Sequence, residues 1–322
     1  MKKIVSLFLA VCMVAGMAGV GAVDVRAVGE DVTAAFTDPA FRAAVQEIIG
    51  KDVILDTDVA DIVSLDVSGE PNRQGDIKSL AGLEHFIGLH YLNCRSNKLI
   101  ALPALPSDLQ TLQCGWNLLS TLPTLPSALK AIYCNQNSLT LLPALPSTLL
   151  DLICSGNSLR SLPTLPSALV TLQCDWNQLS MLPALPNSLN YLDCERNELL
   201  SLPTLPSSLE FLWCDFNRLT SMPALPSSLK VLWCSWNNLR SLDITGTQLR
   251  NLDCTNNLMK DESAVIGFTG EWSGYLEGGK NSDLEQYYFS PQKFWAAFPP
   301  WLQWLLRYLF FGWFWMELGH KK

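Results

Sequence analysis

The sequence predicts a solenoid, a parallel β-sheet made by stacking one short coil many times along a single axis. Three observations predict it. Cysteine falls at 94, 114, 134, 154, 174, 194, 214, 234 and 254. Asparagine follows three places later every time, from Asn97 to Asn257, and paired prolines such as Pro123 and Pro126 recur in the same register. Coincident registers with a period of 20 residues mark stacked repeats, each too small to bury its own apolar side.

Composition agrees and excludes other classes. The 322 residues are 48% apolar and 16% charged, too apolar for a disordered chain. The net charge of −8 has the wrong sign for a nucleic-acid binder.

Within one coil, Leu112 and Cys114 stand two residues apart, so on a strand both point into the core. Leu109, Leu119, Leu122, Leu125 and Leu129 close the coil around them. Stacked coils set equivalent strands about 4.8 Å apart. Pro123 and Pro126 forbid a helix on the return path and favour extended, polyproline-like backbone. The return wall is therefore thin, and the sheet is expected on the concave side.

The template Lxx-LxC-xxN-xL from Leu89 to Met259 resembles the leucine-rich repeat, and its LPxLPxxL extension resembles the short bacterial subclass found in secreted effectors. The resemblance implies an α/β-type leucine-rich repeat solenoid over 89–260, with a curved parallel sheet and an extended convex side. The asparagines are expected to satisfy backbone groups where the chain leaves each strand. The cysteines are expected to serve as small buried hydrophobes. Neighbouring cysteines meet the distance window for a disulfide, but parallel Cβ directions and the odd number oppose pairing. The histidines at 85, 90 and 320 form no zinc-binding spacing, so neither metal nor cofactor is expected.

Residues 28–88 read as an N-terminal helical cap with a first irregular repeat. Asp38 at the N-cap, Pro39 at the first helical position and Gly50 at the stop frame a helix with Phe41, Val45, Ile48 and Ile49 on its apolar face. Ile62, Leu65 and Val67 repeat the strand positions once. Ile77, Leu80, Leu83, Phe86 and Leu89 then lead into the array, about ten strands in all. This start resembles internalin-like surface proteins. After Arg240 the proline turn gives way to Leu242-Asp243-Ile244-Thr245-Gly246, which resembles an LDxxG variant of extracellular repeats. Repetition stops after Met259, leaving 261–293 as a closing cap or linker.

The two ends carry targeting signals. A basic start, an apolar run from Ile4 to Val23 and small residues around Ala27 predict a signal peptide over 1–27. Residues 294–316 carry five tryptophans and a single charge, Arg307, which predicts membrane contact through an apolar segment. Its helix, starting at Trp301, measures about 24 Å against a hydrocarbon core of about 30 Å. A short span, an interfacial helix and an apolar cap all remain open, ahead of a basic tail at 317–322.

No enzymatic constellation is present: no GxxxxGKT, no GxSxG, no HExxH and no histidine beside a cysteine. The resemblance to ubiquitin-ligase effectors covers only their recognition repeats. The stretch after Met259 contains no cysteine to act as their nucleophile. Function is therefore expected on the outward sheet face. Its candidate partner-binding residues are Trp176, Tyr191, Asp193, Glu195, Phe211, Trp213, Asp215, Phe216, Trp233 and Trp236. Large aromatics bring contact area at low entropy cost and form binding hot spots. They can also stack between neighbouring coils and stabilise the sheet. The acids beside them favour a cationic partner or form a solvated face. The reading is an exported protein-binding scaffold at the cell envelope, against an effector or adhesin recognising a host protein, or a carbohydrate-binding module.

Overall fold

The computed structural model describes residues 29–69, 75–270 and 286–289. The expected signal peptide, the 294–316 segment and the basic tail lie outside the described residues. Among the described residues no helix is long and apolar enough to cross a membrane.

The chain enters through helix α1, Pro39–Ile49, which begins where Asp38 accepts the Ala40 and Phe41 N–H groups at 2.9 and 3.0 Å. The other Asp38 oxygen accepts from the backbone of Lys78 and Ser79, at 2.8 and 3.1 Å, so one carboxylate both caps the helix and ties it to the array. Those N–H groups hold the Asp38 carboxyl below its usual range despite burial. Gly50 ends the helix in the left-handed conformation, φ 68°, which a residue without Cβ adopts freely. Phe41 and Val45 are buried and Ile49 is partly so, following an i, i+4 stripe. Ile48 departs from expectation and points to solvent, because that stripe passes through its neighbour. A single turn, α2 (Asp56–Val59), follows.

Eleven strands then form one parallel sheet. They are β1 (Ser64–Asp66), β2 (Tyr91–Asn93), β3 (Thr111–Gln113), β4 (Ala131–Tyr133), β5 (Asp151–Ile153) and β6 (Thr171–Gln173). The sheet continues through β7 (Tyr191–Asp193), β8 (Phe211–Trp213), β9 (Val231–Trp233), β11 (Asn251–Asp253) and β13 (Gln286–Tyr288). A separate pair joins β10 (Leu242–Asp243) to β12 (Val265–Ile266). From β2 to β9 the register advances one repeat per strand, Leu92 facing Leu112 and Leu212 facing Leu232.

The core is a set of straight columns. Every strand-centre leucine or isoleucine from Leu92 to Leu232 and every cysteine from Cys94 to Cys254 is fully buried, and the nine thiols are free. Burial pushes the Cys94 and Cys134 thiols up to about 12, so they stay neutral and packed like apolar groups. The asparagines knit neighbouring coils together. The Asn217 amide donates to the carbonyls of Cys194, Cys214 and Asp215 at 2.9–3.2 Å, while its oxygen accepts the Leu199 N–H at 3.0 Å. The same bonds recur at Asn117, Asn137, Asn157, Asn177, Asn197, Asn237 and Asn257.

Both ends depart from the repeat. No proline stands at 242–246, so Ile244 N–H is free to bond Ile266 O at 2.9 Å and a small sheet forms where earlier coils run extended. Past Met259 the sequence no longer repeats, yet the stack continues. Strand β13 adds to β11, and buried Phe289 takes the place that cysteine holds in the preceding coils.

Candidate binding face

The fold imposes a constraint on this face that residue types alone do not announce. The residue before each asparagine has positive φ, including Trp116 (56°), Gln136 (54°), Trp176 (52°), Arg196 (50°), Phe216 (54°) and Trp236 (55°). The coil needs a left-handed residue there to turn out of the strand. Gly156 and Asn256 meet that need cheaply. A bulky side chain there costs roughly 1–2 kcal/mol, which contacts with neighbouring coils can offset.

At four consecutive coils such contacts are visible. The Arg196 guanidinium carbon lies 4.2 Å from the centre of the Trp176 ring and 4.1 Å from that of Phe216. Phe216 in turn stacks on Trp236 at 5.3 Å with the planes 9° apart. The column is one continuous pile, ring, cation, ring, ring. Arg196 was not among the expected site residues, since an arginine in an aromatic column signals nothing until positive φ brings the three side chains into line.

A second pile stands on the strands themselves. Trp213 and Trp233 stack at 4.7 Å with planes 9° apart, Tyr191 meets Trp213 edge-on at 5.1 Å, and Tyr191 and Phe211 lie 6.0 Å apart. The indole N–H of Trp213 is buried without an acceptor, the one such side-chain group among the described residues.

Between and beneath the piles lie the acids, and here expectation needs correcting. Asp193 and Asp215 are only 7% and 1% exposed, so with half-buried Glu195 they are no solvated row. Asp215 accepts the Ser235 backbone N–H at 2.5 Å and its hydroxyl at 2.8 Å, and Asp193 accepts the Glu195 N–H at 3.2 Å. Burial first, then the Asp175 charge, pushes the Asp193 carboxyl up to about 7, against the pull of that one N–H. Burial likewise raises Asp175, which accepts from the Ser155 hydroxyl. Burial weighs against the Arg196 charge, and Glu195, Asp215 and Asp175 offset it.

All ten expected residues therefore gather on one patch over β6 to β9, in two aromatic piles with buried acids between. Among the described residues no group of three or more histidines, cysteines or acids is placed to hold a metal ion. The patch presents flat apolar area, a buried indole N–H without an acceptor and a group of carboxyls.

No family model and no curated protein matches the chain. Solved structures do. YopM from Yersinia enterocolitica WA-314 is 40% identical over 61% of this chain and 42% of its own, with a TM-score of 0.56. YopM from Yersinia pestis, described as a leucine-rich effector protein, is 26% identical over 71% of this chain and 66% of its own, at 0.55. The functional domain of InlJ from Listeria monocytogenes, described as including a cysteine ladder, is 25% identical over 72% of this chain and 58% of its own, at 0.57. The chain thus spans about two fifths to two thirds of these relatives. The chain shares with these bacterial proteins the leucine-rich repeat architecture, a solenoid of stacked coils, here with a spacing of 20 residues.

Proposed function

We propose that the chain is a protein-binding scaffold whose partner docks on the sheet face across β6 to β9. The observation that carries the reading is the pair of aromatic piles, Trp213 on Trp233 and Trp176 through Trp236, on coils whose own folding does not require them. Two further features support it. The Trp213 indole N–H has no acceptor, an omission that costs about 1–3 kcal/mol until a partner supplies one. Stacked rings held in place also lose little entropy on binding.

Export belongs to the same proposal: cleavage near Ala27, residence at the cell envelope and membrane contact through 294–316, with 28–88 and 261–293 closing the two ends of the solenoid. An effector role outside the producing cell is the alternative that the likeness to YopM favours. Fractionation of the producing cells, with and without detergent, separates the two. Recovery only with detergent supports the envelope; recovery from the medium supports the effector.

The binding test uses the full chain as bait against surface and secreted proteins, with Trp213→Ala and Trp233→Ala as variants. Partner capture lost in both variants, with thermal midpoints within a few degrees of the parent, supports the face. Undiminished capture overturns it, and selective retention on a glycan array replaces the protein partner with a carbohydrate.

A further inference from the structure

The pile that runs through Arg196 is open at one end. Trp176 is its last ring. One face of that ring is covered by the Arg196 guanidinium, and the indole is 37% exposed, more than the rings that follow it. The next coil on the uncovered side contributes Gly156, which has no side chain to lay against the ring. The coil beyond it contributes Gln136, whose amide bends into the place a β-carbon on Gly156 would occupy.

The spacing makes this end a second copy of the interval between Trp176 and Phe216, holding the neutral Gln136 amide where the first holds a cation. Trp176 and Phe216 are two coils apart, and that interval holds one planar cation in contact with both rings. Trp176 and Gln136 are also two coils apart, with glycine rather than arginine between them. The interval therefore matches one flat group on the Trp176 face once the Gln136 amide moves aside. The exposed Gln136 amide, neutral and flexible, now lies across it.

Charge decides what that flat group is. The charges of Glu195, Asp215 and Asp175 act on Arg196. Asp175 adjoins Trp176 in the chain, and its carboxylate accepts from the hydroxyl of Ser155, the neighbour of Gly156. An anion is repelled there and a neutral ring gains only stacking, while a cation gains both the ring and the acids. Between the two common cationic side chains, the guanidinium is planar and weakly hydrated and stacks well, whereas an ammonium is compact and strongly hydrated.

We propose that the gap over Gly156, between Trp176 and Gln136, is the subsite for an arginine side chain of the partner protein, which displaces the Gln136 amide and stacks on Trp176 as Arg196 does on the other side. This deepens the scaffold reading and rests on it. The partner then presents a basic, arginine-bearing segment laid along the sheet face.

The test measures fluorescence anisotropy of labelled hexa-arginine and hexa-lysine peptides with the full chain, in low and physiological salt. Hexa-arginine is expected to bind several-fold more tightly than hexa-lysine at both salt levels. Trp176→Ala is expected to weaken hexa-arginine binding about tenfold or more. Gly156→Asn, whose side chain tolerates the left-handed backbone and fills the gap, is expected to do the same. Trp116→Ala, at an exposed ring outside the pile, is expected to leave binding unchanged. Circular dichroism of each variant confirms that the coil is intact. Equal affinity for the two peptides, or parental binding by Trp176→Ala and Gly156→Asn, overturns the subsite. If Trp213→Ala abolishes capture of the partner while both subsite variants retain it, the face stands and the arginine subsite falls. If no variant affects capture, the face itself falls.

Discussion

The coils at β2 to β5 and those at β6 to β9 are built alike inside and differ outside. Both halves bury the same leucine and cysteine columns and repeat the same asparagine bonds. On the sheet face, the earlier coils carry Thr111, Gln113, Ala131, Tyr133 and Ile153, without an aromatic pile, while the later ones carry two piles over buried acids. Since the earlier coils fold without such rings, the solenoid does not demand them. Their presence, in part at backbone angles that favour glycine or asparagine, answers to something outside the coil.

The largest expected effects lie where the halves agree. Asn117→Ala and Asn217→Ala each remove an amide that serves carbonyls of two coils, and should lower stability by about 3 kcal/mol or more. Leu112→Ala and Leu212→Ala should cost about 2–5 kcal/mol. Urea unfolding measures both pairs. A loss confined to one half would break the equivalence of the two interiors.

Next come the effects that separate the halves. Trp213→Ala should weaken partner binding by about 2 kcal/mol or more, and Tyr133→Ala, at the same strand position four coils earlier, should leave it unchanged. Titration of the captured partner measures both, and equal losses would remove the distinction.

The third effect concerns pH. Burial and the Asp175 charge push the folded Asp193 carboxyl up to about 7, well above the ordinary carboxylate range. The folded state therefore binds more protons than the unfolded one across that window, and stability falls as pH rises from about 4 through about 7. The Asp175 and Asp215 carboxylates act on this carboxyl by their charge, and the Glu195 backbone N–H bonds to it. Thermal midpoints at pH 5 and pH 8 should drop by several degrees in the parent and less in Asp193→Asn. An identical drop in both proteins would place the pH response elsewhere.

The smallest effect sharpens the comparison most. Trp116 is half exposed, pays the cost of positive φ and stands outside both piles. Trp116→Gly should gain up to about 1 kcal/mol. Trp236→Gly relieves the same backbone but loses the ring on Phe216, and should gain nothing. A stabilised Trp236→Gly would show that the pile returns less than it costs.

Much of this was legible in the residues. A period of 20 with cysteine and asparagine in fixed register can be satisfied only by stacked coils, because no single coil buries its own leucines and only equivalent neighbours bring each amide to the carbonyls it serves. Asp38, Pro39 and Gly50 marked the helix by their own backbone preferences. The grouping of the aromatic residues on one face followed from the same register.

The turn past Met259 was not legible, since β12 and β13 continue the stack without its motif and only pairing with β10 and β11 defines them. Nor was the state of the acids, because burial depends on what neighbouring coils place over a carboxylate. The sequence by itself determined the coil, its period and the identity of its inner columns, all of which are set by spacing along the chain. The tertiary structure alone decided that Arg196 lies between two rings, that Asp193 and Asp215 are sealed from water, and that Trp176 ends a pile beside Gly156. Those are relations between coils twenty residues apart, and they exist only once the backbone has turned each side chain toward its neighbour.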